Sequence, residues 1–323
     1  MKPKVYITRR IPEPFINRLS LICDVRMWEK EDTPVPYEIL KNEIEDIDGL
    51  LCMLTDNIDD SLIRKAKRLK IIANMAVGYN NIDINSATNH GIMVTNTPDV
   101  LTETTADLTF GLLIAAARRL IEASDYLKNG DWKSWSLMQL TGQDVYGSTL
   151  GIIGLGRIGE ALAKRAKGFD MEIYYFNRRR KYEKEKELGV QYAPLKELLK
   201  ISDFVCIMTP YTPETKNLID YEQLSLMKKN AILINTARGG IVNETALYHV
   251  LKNGGIAGAG LDVFEEEPIS LDNPLLTLPN VVALPHIGSA STATRMKMAD
   301  LAVTNLIAGV QNEKPKNLVN CIR

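Results

Sequence analysis

The chain has 323 residues, 45% apolar and 24% charged, which is typical of a globular protein but longer than one ordinary domain. Its 39 basic and 40 acidic side chains give a formal net charge of −1, so there is no large field to recruit nucleic acid or an anionic membrane. The four cysteines have neither metal-ligand spacing nor the density of a secreted disulfide framework, and three of them lie in or beside apolar runs, so we predict buried thiols in a cytoplasmic protein.

The first third of the chain alternates short apolar runs with helical patterns. The N-terminus leads into a strand-like run without a signal-peptide core, so we expect an untargeted chain. Strands are predicted at residues 5–8, 50–54, 71–75 and 93–95, and a helix at residues 59–68. One long helix is predicted over residues 101–128, followed by a loop or arm to residue 147. The longest apolar stretch, residues 108–117, is about half of the roughly 20 residues that a membrane span requires.

A second α/β unit is predicted from residue 148 to about residue 285. Its buried strand candidates are residues 150–153, 172–176, 204–208, 231–235, 258–262 and 281–284. Apolar runs separated by helix-length intervals indicate a parallel sheet that is covered on both faces. A last helix follows, through about residue 309, and we expect it to return to the first domain and make that domain discontinuous.

The strongest local signal is the sequence GLGRIG at residues 154–159, which follows a predicted strand and opens a predicted helix. Gly154 would permit a tight turn, Gly156 a close approach to a pyrophosphate, and Gly159 close helix packing. The helix N-terminus would favour the anion. This pattern predicts a Rossmann-type dinucleotide site, and the alternative is a glycine turn that serves packing alone.

The residue expected to contact the ribose of the cofactor is not acidic. NAD sites usually have a carboxylate about 20 residues after the glycines, at the end of the next strand, and Asn177 occupies that position. Arg178 and Arg179 follow it, and guanidinium groups suit a 2′-phosphate. NADP is therefore predicted in preference to NAD, unless the basic run is only a solvated surface.

Three polar side chains follow buried strands of the second unit: Arg238, Glu267 and His286. Ligands of open parallel sheets bind at the carboxyl ends of the strands, so these side chains can face one cofactor. Each also has a structural alternative, as a loop salt bridge, a member of an acidic run, or a histidine at a domain edge.

Several separated segments resemble the D-isomer-specific 2-hydroxyacid dehydrogenase family, in family order and over nearly the whole chain. They are residues 75–83 (MAVGYNNID), the glycine segment, residues 235–240 (NTARGG), residues 260–264 (GLDVF) with Glu267-Pro268, and residues 285–289 (PHIGS). Residues 51–56 (LCMLTD), residues 131–135 (DWKSW) and Asn177-Arg178 resemble the glyoxylate/hydroxypyruvate reductase branch, which includes 2-ketogluconate reductases.

The resemblance implies two Rossmann/flavodoxin-like domains with parallel sheets. Residues 1–98 with 287–323 would form the discontinuous substrate-binding domain, and residues 99–286 the dinucleotide-binding domain. His286 would be the general acid, oriented by Glu267, and Arg238 would bind the substrate carboxylate. Further implied residues line the substrate (Val77 and Gly78 through their N–H groups, Met53, Leu54, Trp135) or the cofactor (Arg157, Ile158, Pro210, Thr215, Thr236, Asp262, Gly288, Thr105).

The predicted function is NADP(H)-dependent reduction of a small 2-oxo acid, either glyoxylate, hydroxypyruvate or 2-ketogluconate, to the D-2-hydroxy acid. No metal is expected. Family members dimerise through the long helix and the arm, which implies a homodimer in which Trp135 reaches the partner's substrate pocket; local packing of Trp132 and Trp135 is the alternative. Competing functions are phosphoglycerate or phosphite dehydrogenation, and a non-catalytic dinucleotide-sensing regulator.

Overall fold

In the computed structural model, which describes residues 1–321, the strands form two parallel sheets, one in each of two units. Unit 1 combines Met1–Leu101 with the chain from Ala290 onward, and unit 2 is Thr102–Ser289. The strands of unit 1 are β1 (Lys4–Ile7), β2 (Asp24–Met27), β3 (Gly49–Cys52), β4 (Ile71–Asn74) and β5 (Met93–Thr95). Those of unit 2 are β6 (Thr149–Ile153), β7 (Glu172–Phe176), β8 (Gln191–Tyr192), β9 (Phe204–Ile207), β10 (Ile232–Asn235), β11 (Gly258–Leu261) and β12 (Val281–Ala283).

Helices connect most of these strands. Unit 1 has α1 (Glu13–Ile22), α2 (Tyr37–Glu43), α3 (Asp60–Ile63) and α4 (Ile84–Asn89). Unit 2 has α5 (Thr102–Ala117), α6 (Leu120–Lys128), α7 (Arg157–Lys167), α8 (Tyr182–Leu188), α9 (Leu195–Ile201), α10 (Tyr221–Ser225) and α11 (Glu244–Lys252). The last helix, α12 (Thr292–Val310), belongs to unit 1. In the described part of the chain, the combination of length and apolarity that a membrane crossing needs is found in no helix.

The strand order reverses once in each sheet. Unit 1 has the order β2-β1-β3-β4-β5, and unit 2 has β12-β11-β10-β9-β6-β7-β8, with all neighbours parallel. The reversals lie between β1 and β3 and between β6 and β9. A crevice forms at the carboxyl ends of the strands at such a point, and ligands of open α/β sheets bind there.

Each sheet is buried on both faces, which explains why the central strands have continuous apolar sequences. Along β9, Phe204 and Cys206 enter one hydrophobic cluster, whereas Val205 and Ile207 enter the cluster on the opposite face. All four are fully buried, and burying a side chain of this size stabilises a fold by roughly 1.5–3 kcal/mol. The prediction of two α/β domains with parallel sheets is confirmed. So is the return of the last helix, because α12 packs on β3 and β4.

The prediction of one helix over residues 101–128 was wrong, since α5 ends at Ala117 and α6 begins at Leu120. Arg119 adopts a left-handed conformation with φ of 52°. The carbonyl of Ala117 accepts a hydrogen bond from the Gln143 N–H at 2.9 Å, so the returning arm takes a group that a continuous helix would use itself. The break is thus set by residues far along the chain.

The helix predicted at residues 59–68 is also shorter than expected. Asp59 caps α3 by accepting from the Leu62 N–H at 2.9 Å, but the helix ends at Ile63. The N–H groups of Lys65 and Ala66 bond to carbonyls three residues back, at 3.1 and 3.0 Å, which closes tight turns that lead into β4.

Candidate active site

The glycine loop of unit 2 lies at the reversal between β6 and β9. Gly154 has φ of 105°, and a side chain there would come within 2.7 Å of the backbone of Met208 and Thr209. A Cβ on Gly159 would lie 2.5 Å from the carbonyl oxygen of Gly154. The loop is therefore pressed against β9 on one side and against the start of α7 on the other.

Gly156 differs, because a Cβ built there would meet no described atom within 4 Å. It is the residue before α7, and no side chain caps that helix N-terminus. Exposed N–H groups and the helix dipole favour an anion at such a place. The loop fits the pyrophosphate of a dinucleotide: two glycines are required by the fold, and the third leaves space. The predicted cofactor residues Arg157 and Ile158 are the first two residues of α7.

Asn177 follows β7 and is tied to the glycine loop, because its Oδ1 accepts a hydrogen bond from the Leu155 N–H at 2.8 Å. This bond leaves the Nδ2 group of Asn177 as a donor for a neighbouring hydroxyl or phosphate. The Asn177 side chain is half-buried, in contrast to the arginines that follow it.

The three arginines after Asn177 have different environments. Arg180 donates twice to the Glu185 carboxylate, with both bonds at 2.8 Å, and its guanidinium lies 4.7 Å from the ring centroid of Tyr182. The hydrogen bonds from Arg180, followed by that from Tyr175, lower the pKa of Glu185 from 4.5 to about 2. Arg178 and Arg179 are exposed, and within residues 1–321 neither forms an ion pair. These two, and not Arg180, are available to a phosphate.

His286 and Glu267 form a close pair after β12 and β11. The His286 Nδ1 lies 2.6 Å from Glu267 Oε2, and Glu267 Oε1 accepts from the Phe264 N–H at 3.1 Å. An ionised carboxylate only accepts, so Nδ1 carries a proton and Nε2 remains for a reactant. Each side chain of the pair is only about a quarter exposed, at 23% and 24%. This arrangement can hold and deliver a proton.

Hydrogen bonds also hold the backbone next to His286 in place. Its φ is 54°, which is uncommon for a residue with a side chain. The next two N–H groups, of Ile287 and Gly288, donate to the two oxygens of Asp262 at 2.8 Å each. Asp262 is fully buried, and burial raises the pKa of its carboxyl above the ordinary value. The bonds to Asp262 thus maintain a strained residue at the place where chemistry is expected.

Glu267 stays ionised in this setting. Its partial burial alone would raise its pKa, but the hydrogen bond from His286, the charge of His286 and the Phe264 N–H together outweigh burial and lower the pKa below 4.5. Glu267 is therefore a negative charge at neutral pH, placed against the imidazole ring.

Arg238 lies in the loop after β10, and the side chain of Asn235 holds the backbone of this loop. The Asn235 Nδ2 donates to the Arg238 carbonyl at 3.0 Å, and its Oδ1 accepts from the Ala237 N–H at 3.1 Å. A Cβ on Gly239 would lie 1.8 Å from the Phe264 carbonyl oxygen, so this loop presses against the one that carries Glu267. Desolvation lowers the pKa of Arg238 and the charge of Glu267 opposes that shift; an arginine remains cationic at neutral pH.

The other predicted cofactor residues form two small hydrogen-bonded groups in unit 2. In the first, Thr236 Oγ1 lies 2.6 Å from Thr109 Oγ1, which donates to the Thr105 carbonyl at 2.7 Å. In the second, Thr215 Oγ1 donates to the Pro210 carbonyl at 2.8 Å. The first group adjoins Gly288, since a Cβ there would lie 3.5 Å from the Thr105 methyl carbon.

The predicted substrate residues of unit 1 lie in two loops, after β3 and after β4. Asn81 joins the loops, because its Nδ2 donates to the carbonyls of Met53 and Asp56 at 3.1 and 3.0 Å. Val77 and Gly78 are half-buried, as is Leu54. Asn81 was not singled out as a site residue from the sequence, where an amide beside other polar residues has no distinctive pattern.

Trp135 lies in the segment between α6 and β6, which forms neither helix nor strand. It is 76% exposed and Trp132 is 54% exposed, so local packing does not bury either ring. Other large apolar side chains nearby are exposed as well: Leu120, Ile121, Leu127, Leu137 and Met138.

Comparisons with known proteins identify relatives over nearly the whole chain. A family model described as D-isomer specific 2-hydroxyacid dehydrogenase, NAD binding domain, matches residues 110–288. Glyoxylate reductases of Korarchaeum cryptofilum and Pyrococcus horikoshii are 52% and 53% identical over 321 and 324 residues, and each match covers 99% of this chain and 96% of the relative. The solved structure of an NADPH-dependent glyoxylate/hydroxypyruvate reductase from Sinorhizobium meliloti, in complex with NADP and malonate, has a TM-score of 0.87 at 36% identity. That match covers 99% of this chain and 97% of the other.

Proposed function

The chain belongs to the D-isomer-specific 2-hydroxyacid dehydrogenase family, in its glyoxylate reductase branch, and on this premise we propose that it reduces a small 2-oxo acid to the D-2-hydroxy acid with NADPH. The candidate substrates are glyoxylate, hydroxypyruvate and 2-ketogluconate. The observation that carries the proposal is the pair of His286 and Glu267 at 2.6 Å, beside a loop that presents Arg238. Proton delivery and anion binding are the two tasks that this reduction requires of the protein.

His286 is the proton donor in this proposal. Glu267 accepts a hydrogen bond from Nδ1–H, which fixes the ring and stabilises its charged form, so that Nε2–H can protonate the oxygen formed at C2. Bound NADPH would supply the hydride. Glu267 is ionised beside the protonated His286, because the hydrogen bond and the charge of His286 help to lower its pKa. After each turnover His286 must regain a proton, and its side chain, 23% exposed, has access to solvent for this.

Arg238 binds the carboxylate of the 2-oxo acid and polarises its carbonyl. A planar guanidinium matches a carboxylate with two parallel hydrogen bonds. We further propose that the N–H groups of Val77 and Gly78 bind this carboxylate, and that Met53, Leu54 and Trp135 limit the size of the substrate. In this scheme unit 1 corresponds to the substrate-binding domain predicted over residues 1–98 and 287–323, and unit 2 to the dinucleotide-binding domain predicted over residues 99–286; the two units divide a few residues later, after Leu101 and after Ser289.

NADPH is favoured over NADH by the residues after β7. No carboxylate stands at the position of Asn177 to repel a 2′-phosphate, and Arg178 and Arg179 are exposed beside it. The Sinorhizobium meliloti reductase is described as NADPH-dependent, which supports the same assignment here.

A homodimer is the proposed assembly. Several large apolar side chains are exposed between Leu120 and Met138, and α6 has no buried residue in the chain alone. Clusters of exposed apolar side chains are typical of protein interfaces. Trp135 would then reach the substrate pocket of the partner. We also propose a cytoplasmic location, which the free thiols of Cys23, Cys52 and Cys206 support.

The test is the initial rate of NADPH oxidation at 340 nm with each of the three acids, repeated with NADH. Rapid oxidation of NADPH by one acid would support the reaction, the cofactor and the substrate together. Silence with both cofactors and all three acids would refute the proposal and favour a phosphoglycerate or phosphite dehydrogenase, or a dinucleotide-sensing regulator.

A further inference from the structure

Three consecutive backbone carbonyls in the loop after β4 are each held by a separate donor of unit 1. The Ala76 carbonyl accepts from the Thr97 N–H at 2.9 Å. The Val77 carbonyl accepts from Asn96 Nδ2 at 2.8 Å, and the Gly78 carbonyl accepts from Asn74 Nδ2 at 2.9 Å. Each of these three peptide groups is therefore held in its orientation by a hydrogen bond of its own.

Holding a carbonyl also fixes the N–H group of the same peptide. In a trans peptide the C=O and the N–H point in opposite directions. The bond from Asn96 to the Val77 carbonyl therefore directs the Gly78 N–H away from Asn96. In the same way, the bond from the Thr97 N–H to the Ala76 carbonyl directs the Val77 N–H away from Thr97. Among the hydrogen bonds of residues 1–321, none uses either of these two N–H groups as its donor, so both remain available to an acceptor.

The amide of Asn74 is held in its turn by Cys52. Cys52 Sγ lies 3.7 Å from Asn74 Oδ1, and both side chains are buried at the ends of β3 and β4. Burial raises the pKa of the Cys52 thiol well above its ordinary value, so the thiol stays protonated and donates. A donor at Oδ1 determines which end of the amide is oxygen, and the Nδ2 end then faces the Gly78 carbonyl.

We propose that Asn96 and Asn74 are positioning residues for the reduction: Asn96, through the Val77 carbonyl, aims the Gly78 N–H at the carboxylate of the substrate, and Asn74, through the Gly78 carbonyl, holds the next peptide of the same loop. They act through the backbone and do not touch the substrate themselves. The inference rests on the proposed function, in which Val77 and Gly78 bind that carboxylate, and it adds Asn96, which determines the direction of the Gly78 N–H, and Asn74, which holds the peptide that follows.

The experiment replaces Asn96 with Asp and, separately, with Ala. Asn96 is half-buried, so its replacement disturbs folding less than that of the fully buried Asn74. An ionised aspartate keeps the shape but has no N–H to hold the Val77 carbonyl. A misdirected N–H loses its hydrogen bond to a charged group. We therefore expect KM for the 2-oxo acid, and Ki for the non-reducible anion oxalate, to rise about tenfold to hundredfold. The Kd for NADPH should stay within about threefold of the parent, since the change lies in the other unit.

Protonation gives a second readout that a merely structural role would not produce. Lowering the pH converts the carboxylate introduced by Asn96→Asp into a carboxylic acid, which can donate to the Val77 carbonyl again. The ratio of oxalate Ki between the Asn96→Asp protein and the parent should therefore fall toward one at acid pH. The ratio for Asn96→Ala should stay constant. Asn85→Asp is the matched control, because Asn85 is exposed on α4 of the same unit.

The outcomes separate the two proposals. If the parent reduces none of the three acids, the proposed function fails. If the parent is active but both Asn96 variants keep KM and Ki within about twofold of the parent, the positioning role is refuted. It is equally refuted if the Asn85 control, or NADPH binding, changes as much as oxalate binding does.

Discussion

Replacing Arg178 and Arg179 together with alanine should remove the preference for NADPH. Both guanidinium groups are exposed after β7 and neither forms an ion pair within residues 1–321, so each can turn to a 2′-phosphate without breaking one. The charge of Arg178 also helps to lower the pKa of Glu214. Arg180 is different, because its two 2.8 Å bonds to Glu185 would have to break first. We therefore expect the pair of arginines to account for the proposed discrimination, and Arg180 for the shape of the loop.

The expected magnitude follows from the exposure of the two side chains. A hydrogen bond to a charged group contributes about 1.5–3 kcal/mol, and an exposed ion pair about 1 kcal/mol or less. Taking about 1–2 kcal/mol for each arginine gives about 2–4 kcal/mol for the pair, or roughly 30- to 700-fold in the Kd for NADPH. NADH has no 2′-phosphate, so its Kd should change by less than about threefold.

The assay is a fluorescence titration of each cofactor against the parent, the double variant and Arg180→Ala. The Arg180 variant is the matched control, since it removes one guanidinium from the same loop. It should weaken both cofactors to a similar extent by loosening the loop. An equal loss of NADPH and NADH affinity in the double variant, or a loss selective for NADPH in the Arg180 variant alone, would refute the reasoning.

Three further predictions concern catalysis, stability and pH. His286→Ala should lower kcat about 10²- to 10⁴-fold while the Kd for NADPH stays near that of the parent, and unchanged turnover would remove His286 as proton donor. Asn320→Ala should cost roughly 2–4 kcal/mol in urea unfolding, because its buried side chain bonds at 2.8–3.0 Å to Val94, Ile92 and Thr88; a cost under about 0.5 kcal/mol would contradict this. The pKa of Glu185 is lowered from 4.5 to about 2, so its contribution to stability is complete above pH 4.5 and is lost as the pH falls toward 2. Glu185→Gln should therefore give a flatter curve of Tm against pH in that interval, and a curve that parallels the parent would contradict the assignment.

The central strands could be predicted from the sequence because they are buried on both faces. Each of β3, β4, β9, β10 and β11 is a run of fully buried residues, and such runs have a strong signal. The edge strands β2 and β8 were missed. Residues of β2 alternate between exposed and half-buried positions, and β8 has only two residues, so neither has an apolar run to recognise.

The break between α5 and α6 could not be predicted from the local sequence pattern. Residues 101–128 have helical spacing without proline, and only the approach of the Gly142–Gln143 backbone to the Ala117 carbonyl ends the first helix. A Cβ on Gly142 would lie 2.1 Å from that oxygen, so a glycine is needed at a position far along the chain from the break. Contacts at that separation follow from the fold and not from the helix itself.

The residues of the candidate site fall into two groups. Some were selected because they follow strands, and the role of the others depends on the conformation of a loop. Arg238, His286 and Asn177 closely follow parallel strands, and the carboxyl ends of such strands converge on one edge of the sheet, so their position in the chain made them candidates, while the catalytic roles of Arg238 and His286 came from the family resemblance. Asn74 ends β4 and Asn96 follows β5, but their importance depends on which carbonyl each amide reaches. That choice is set by the conformation of a loop, which has no periodicity to read. The residues proposed to perform the chemistry could therefore be named as candidates from the sequence, whereas Asn96 and Asn74, which hold the loop after β4, required coordinates.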